Sequence, residues 1–239
     1  MESFLLQKEP CLSMEKRLIR LEANSEKIYR ASLADIQTGA AKGIPPNAVP
    51  VGSVEFVVAR MKQLKIAIPA YDTYPKCLYR FLGRQLRHCK YGQAKDGLFV
   101  KPFARVKLFT GHIKGNWPLG EERPELLDAV DVWESEAIEF LAEQRAYIHE
   151  GRILGIGRYD SYETSELPDK SVIEKAVKAY HDAPVAYTLD FGVTKDGRTL
   201  LIEANDAWAI GMYMDGDMTI KSYIRVVGDR WHQICGSPI

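Results

Sequence analysis

Apolar residues along this 239-residue chain follow two periods, and the change from one to the other divides the sequence. Helical spacing comes first. "CLSMEKRLIRLE" is amphipathic at 3.6 residues per turn, and "EKIYRASL" suits a strand or a helix start. "VEFVVARMKQLKI" follows Ser53, a suitable N-cap, and gathers Phe56, Val57, Met61 and Leu64 near one face. "YPKCLYRFLGRQL" aligns Tyr74, Leu78, Phe81 and Leu82 as a further short helix. The pieces before residue 66, with the breaker-rich "GAAKGIPPNAVPVGS", predict a small α/β unit over the first 65 residues.

From Gly97 strand patterns dominate. "LFVKP" ends in a proline, which suits an edge or a strand terminus. "GHIKGNWPLGEERPEL" reads as a loop, "AVDVWES" as a strand, and "EAIEFLA" as a short link with one helical turn. "QRAYIHEGRILGIGRYD" predicts a hairpin turning at Glu150-Gly151, with Ala146, Ile148 and Ile153 toward the core. In "LPDKSVIEKAVKAYHDAP" the stripe Val172, Ile173, Ala176, Val177 and Tyr180, closed by Pro184, predicts a helix. "VAYTLDFGVTKDGRTLLIEAND" predicts a second hairpin, and "DMTIKSYIRVVGDRWHQI" a last helix.

The second hairpin carries groups that a hairpin does not need. Val185, Tyr187, Leu189, Phe191 and Val193 share one face, which leaves Asp190 on the other. A two-residue turn at Asp196-Gly197 places Asp190 directly across from Glu203, with Asn205 two residues further on the same face. A three-residue turn would make the pair diagonal. Opposed carboxylates repel, so a half-buried face needs a cation or a raised pKa there. Asp, Glu and Asn offer hard oxygen ligands, which suit Mg2+ or Mn2+ shared with phosphate better than zinc. The alternative is a pair that simply faces water.

Upstream, Lys101 ends the apolar strand "LFVKP", with Arg105 and Lys107 following. A lysine flanked by Phe99, Val100 and Pro102 suits a phosphate; an edge lysine reaching to solvent is the alternative. Counting from the Glu150-Gly151 turn sets Glu143 opposite Arg158 and leaves Arg145 on that face without a local partner, open to an anionic ligand. The link in "AVDVWESEAIEF" could read an adenine edge, with Glu134 or Glu136 accepting from a ribose hydroxyl; a solvated acidic turn fits equally.

Composition narrows the partners. With 32 basic and 32 acidic residues the net charge is zero, which gives no long-range attraction to nucleic acid or an anionic membrane. Arg80, Arg84, Arg87, His88 and Lys90 therefore read as a solvated helix face. No apolar run approaches the roughly 20 residues that span a bilayer. Cys11, Cys77, Cys89 and Cys235 are widely spaced, as for free and mostly buried thiols in a reducing compartment. The N-terminus lacks the pattern of a secretory signal, so the expected location is cytoplasmic.

Taken in order, "LFVKP", "VWESEAIEFLAEQRAYIHEGRI", "YTLDFGV" and "LLIEANDAWAIG" resemble the ATP-grasp superfamily, and most closely its compact clade named for one arginine and two lysines. The resemblance implies an α+β ATP-grasp fold, with the nucleotide site between two α+β subdomains over residues 95–239 and a small α/β region over residues 1–94. It implies an ATP-dependent carboxylate–amine ligase that works through an acyl phosphate with Mg-ATP. A phosphotransferase with a hydroxyl acceptor, or a non-catalytic ATP-binding module, would use the same parts. By resemblance Lys101 binds phosphate, Lys107 is the second lysine, and Arg145 is the arginine with Glu143 beside it; in such a mechanism Arg145 or Arg158 would orient carboxylate or phosphate. Asp190, Glu203 and Asn205 match the metal ligands, and Glu134 lies in the adenine hinge. The acceptor would be a small molecule, peptide or protein bearing a carboxylate or amine. The family's long glycine-rich phosphate loop has no obvious counterpart in "KYGQAKDG" or "FTGHIKGN". Trp208 fits either an acceptor pocket or the core, and His112, His149 and His181 have no assigned role.

Overall fold

A computed structural model describes residues 2–8, 13–23, 27–70, 72–103, 108–160 and 164–236. The N-terminal unit alternates strand and helix: β1 (Phe4–Gln7), α1 (Met14–Glu22), β2 (Ile28–Ala31), α2 (Leu33–Gln37), β3 (Val49–Val51) and α3 (Val54–Gln63). Its three strands are parallel in the order β2-β1-β3. β1 and β3 are buried along their whole length, the pattern of parallel strands covered on both faces. Ser53 caps α3 by accepting from the Phe56 amide, and Ser32 with Asp35 forms a capping box on α2. "EKIYRASL" thus resolves into strand β2 and the short helix α2, which periodicity did not separate.

A second sheet is antiparallel, in the order β4-β7-β5-β6: β4 (Arg87–Lys90), β5 (Phe99–Pro102), β6 (His112–Ile113) and β7 (Asp131–Ser135). The helix predicted over "YPKCLYRFLGRQL" is a 3-10 helix, Lys76–Phe81, and Arg87, His88 and Lys90 lie on a strand rather than a helix face. β4 precedes residue 95 yet pairs with β7, so this sheet straddles that position. The segment 136–139 is an irregular link with no helical turn.

The third sheet is ordered β11-β10-β8-β9-β12: β8 (Phe140–His149), β9 (Arg152–Arg158), β10 (Ala186–Thr194), β11 (Thr199–Asp206) and β12 (Asp215–Gly216). One face packs Ala146, Leu189, Phe191 and Leu201 against Ile173 and Ala176 of α4 (Lys170–Ala179) and Leu78 of the 3-10 helix. Behind the other face, Tyr147 and Ala186 join α5 (Ile220–Cys235) and the N-terminal unit in one core that contains Phe4, Phe56, Tyr223 and Trp231.

Both hairpins carry a bulge that changes the pairing. Glu150 (φ 47°) and Gly151 (φ 69°) form the expected turn of positive-φ residues. The register then slips between Tyr147 and Ile148, because Leu154 is an extra residue on β9. Gln144 therefore faces Arg158, and the expected Glu143–Arg158 pair does not form. In the second hairpin the loop has three residues, 195–197: the Thr194 amide donates to the Arg198 carbonyl, and Gly197 takes φ 78°. A bulge beside Asp190 then restores the opposition of Asp190 and Glu203. Turn and bulge offset each other. Among the described cysteines only Cys89 is buried; Cys77 is exposed and Cys235 half-buried, so the expectation of mostly buried thiols fails. Among the described residues, no helix is long and apolar enough to cross a membrane.

Candidate active site

A cleft of about 930 Å³ opens where the three sheets meet. Lys101 and Pro102 from the end of β5, Arg145 from β8, and Glu203 and Asn205 from β11 line one part of it, with Trp208 and Tyr213 beyond β11. Gln7, Lys16 and Ser53 from the N-terminal unit line another part.

Strand ends and strand parity position the polar groups. Lys101 crosses from the second sheet to the third, its Nζ 2.5 Å from Glu203 Oε2 and 5.1 Å from the centre of the Tyr74 ring. Asn205 Nδ2 donates to Glu203 Oε1 at 2.8 Å and to Asp190 Oδ2 at 3.3 Å, bridging the two carboxylates. Asp190 and Arg145 face each other on β10 and β8, and the guanidinium grips both carboxylate oxygens at 2.8 and 2.7 Å. Rings of Tyr213 and Tyr159 lie 5.3 and 5.8 Å from the guanidinium carbon. Arg145 thus has the partner that hairpin counting could not supply, on a strand 45 positions away.

The electrostatics follow from these contacts. Burial pushes the Glu203 carboxyl up, but the Lys101 charge, its hydrogen bond and the Asn205 amide together bring it down to about 2. Asp190 is 2% exposed, and burial drives its carboxyl up, opposed chiefly by Arg145. Burial works against the Arg145 charge, yet Asp190 more than offsets it, so the guanidinium holds its proton more tightly than usual. Two internal cations thereby resolve the carboxylate repulsion expected on this face.

The other predicted residues lie elsewhere. Glu134 is bound by Arg87 at 2.6 and 2.8 Å and by the Lys95 amide at 2.6 Å, so its carboxylate is engaged within the second sheet and not in the cleft. Arg158 is turned onto Asp160 (2.8 Å) and the Thr164 carbonyl (2.7 Å). Burial pushes the Glu143 carboxyl up despite a hydrogen bond from Tyr159, and its amide donates to Asp160. Lys107, with Arg105, falls outside the described residues. His149 bonds to Asp229 away from the cleft, while His112, which bonds to Tyr91 and to the Thr110 carbonyl, sits behind the lining residues Phe109, Thr110 and Gly111 without itself lining the cleft. Trp208 lines the cleft while only 5% exposed.

As a cation site, the face presents Glu203 and Asn205 to the cleft, while both oxygens of Asp190 are taken by Arg145. Among the described residues no three His, Cys, Asp or Glu side chains gather to hold a metal without help. The donor set fits Mg2+ or Mn2+, which are bound through one or two carboxylates together with phosphate and water.

Residues 81–220 match the model of an ATP-grasp domain family, the second family of the clade named for one arginine and two lysines. The fold is similar to that of D-alanine–D-alanine ligase from Bacillus anthracis, with TM-score 0.54 and 17% identity over 99% of this chain and 97% of that one. Weaker likenesses, which add no weight, are to D-cycloserine synthetase DcsG (TM-score 0.49, 10% identity, 96% of this chain and 100% of that one) and to L-amino acid ligase from Bacillus licheniformis (TM-score 0.45, 13% identity, 86% and 66%). Among curated proteins none matches the sequence. With more than half its length matched by the family model and a split α+β architecture around the cleft, the chain belongs to this second family of the one-arginine, two-lysine clade of ATP-grasp domains.

Proposed function

We propose that the protein joins a carboxylate to an amine through an acyl phosphate, with ATP converted to ADP and phosphate. The observation that carries this is the meeting of Lys101, Arg145, Glu203 and Asn205 in one cleft of an ATP-grasp domain. In this reaction class a carboxylate oxygen attacks the γ-phosphorus in line and ADP leaves. The amine nitrogen then attacks the acyl carbon, phosphate leaves, and the nitrogen gives up a proton. Charge builds on phosphoryl oxygens, so the protein's task is to fix cations and exclude water rather than to supply a nucleophile.

Lys101 is the compact charge that holds phosphate oxygen, and its ammonium lies over the Tyr74 ring. Arg145 is a second fixed charge, oriented by the two hydrogen bonds it donates to Asp190. Glu203 and Asn205 would hold Mg2+ or Mn2+, which when bound neutralises phosphate charge. Asp190 acts on this set by orienting Arg145 and Asn205. Lys107 is the second lysine by its place after β5, while Glu143 and Arg158 support the β8–β9 hairpin. The substrates are a small molecule, peptide or protein with a carboxylate or amine, and the free cysteines suit a reducing cytosol.

The test pairs Lys101→Ala and Glu203→Gln with calorimetry of Mg-ATP binding and an ADP-release assay. Lys101→Ala is expected to weaken Mg-ATP binding, and Glu203→Gln to cut metal-dependent turnover more than metal-free nucleotide binding. Wild-type affinity in both variants sinks the assignment. A phosphorylated product in place of free phosphate marks a phosphotransferase, and binding without ADP release marks a non-catalytic module.

A further inference from the structure

The N-terminal wall of the cleft is not used by the chemistry above. In the sheet order β2-β1-β3 the central strand β1 leads through α1 to β2 on one side, while β3 on the other side leads into α3. The carboxyl ends of β1 and β3 therefore flank the point where the strand order reverses, which is where open α/β sheets bind ligands. Gln7, the last residue of β1, and Gly52 and Ser53, just past β3, line the cleft there, joined by Ser13 and Lys16 of the α1 start.

The backbone at this point is tightly set. Gln7 Oε1 accepts the Ser53 amide at 2.6 Å, and a Cβ at Gly52 would sit 2.4 Å from that same oxygen. The Ser53 hydroxyl accepts the Phe56 amide, while Ser13 makes no side-chain cap bond to α1. The N-terminal ends of both helices, with their partial positive charge, thus border the cleft.

Lys16 is the second and independent observation. It is 4% exposed, yet it lines the cleft. Among the described residues its ammonium, with three donors, meets one carbonyl oxygen, that of Gln7, at a long 3.4 Å. Among the described residues no carboxylate lies within ion-pair distance of it. A buried ammonium so poorly matched is costly unless an anion completes it.

We infer that Lys16 and the α3 N-terminus bind a second carboxylate of the substrate, apart from the one activated beside Lys101. The inference rests on the ligase reading above and specifies its substrate: either a dicarboxylate, or an amine acceptor that itself carries a carboxylate. Glu15 and Glu55 also border this part of the cleft. Their negative charge disfavours a dianionic phosphate, so a monoanion fits better.

The test measures ADP release by the full chain with Mg-ATP and two sets of probes. Amino acids are compared with their C-terminal amides as amine acceptors, each beside the same saturating monocarboxylate (acetate) as the group to be activated, and succinate and glutarate are compared with their monoamides. At least one acid form should act at a KM about tenfold or more below that of its amide, the amino-acid or the dicarboxylate arm identifying the source. Lys16→Met should raise the KM for that acid by a similar factor and abolish the acid–amide difference. The KM for ATP should stay within about twofold, and Lys16→Arg should restore the preference. A Lys16→Met variant that melts like wild type and keeps the acid–amide difference overturns the inference. So does wild type that binds Mg-ATP and releases ADP no faster with any acid form, an outcome that leaves the ATP site standing. Failure of wild type to bind Mg-ATP overturns both.

Discussion

Replacing Arg145 with methionine should cost more stability than any surface change in this protein, because it strands Asp190. The carboxylate is 2% exposed, and both of its oxygens are held by the guanidinium at 2.8 and 2.7 Å. Its further hydrogen bond is from the bridging Asn205 amide, at 3.3 Å. Breaking a buried pair by removing one partner costs about 3–5 kcal/mol, against a total stability of about 5–15 kcal/mol for a folded domain. At about 2–4 °C per kcal/mol for a chain of this size, Tm should fall by about 6–20 °C. The deficit should depend on pH with a definite sign. Without Arg145, burial pushes the Asp190 carboxyl further above its ordinary 3.8. The folded state then favours the protonated acid, so its contribution is present below the unfolded pKa and lost as pH rises through the folded one. Arg145→Met should therefore lie closest to wild type in acid and furthest from it at neutral pH. Urea denaturation from about pH 4 to 8 measures this, with Arg145→Met/Asp190→Leu as the companion, since an apolar pair of similar volume removes the stranded charge. A loss below about 1 kcal/mol at pH 7, typical of an exposed ion pair, or a double variant less stable than both single ones, refutes the reasoning.

Glu203, held down to about 2 against an ordinary 4.5, stabilises the fold above pH 4.5 and loses that contribution as pH falls toward 2. Lys101→Ala should flatten this acid limb in urea titrations; an unchanged limb would show that Lys101 is not its cause. Gly157→Ala would set a Cβ 2.1 Å from the Tyr213 carbonyl oxygen, a backbone atom that cannot swing aside. Its cost should be about 1–3 kcal/mol by urea denaturation, together with weakened Mg-ATP binding as Tyr213 shifts beside Arg145; a neutral result contradicts the packing seen here.

Sequence periodicity reached α1, α3, α4, α5 and both hairpins because each buries a face at regular spacing. α3 begins behind Ser53 and α4 carries its stripe on Ile173, Ala176 and Val177 for that reason. The Asp190–Glu203 pairing was legible for a subtler one. Side chains on a strand alternate, so parity keeps both carboxylates on one face, and the restoring bulge cancels the longer turn. Glu143 and Arg158 fared worse, since the Leu154 bulge had no compensating turn. β1 and β3 were too short and too uniformly apolar to show alternation. Lys16 looked like one more charge on an amphipathic helix, and only tertiary packing buries it against Gln7.

On the sequence alone the carboxylates of the β10–β11 hairpin call for a cation or a raised pKa, because two acids on a half-buried face repel. The fold answers that demand from within: Arg145 neutralises Asp190 and Lys101 neutralises Glu203. The site is therefore stable on its own, and a divalent cation at Glu203 has to compete with an ammonium 2.5 Å away. On the proposed reading a nucleotide would change that competition, because its phosphates would offer Lys101 another set of oxygens and offer the cation further ligands. On the proposed ligase reading, metal and nucleotide affinities would then be coupled through one side chain that can serve either the carboxylate or the phosphate, but not both at full strength. Arg145 takes no part in this exchange. Its two hydrogen bonds to Asp190 and its place beside the adjoining rings of Tyr159 and Tyr213 would keep it fixed while Lys101 changed partner, so the cleft would combine one immobile charge with one transferable charge.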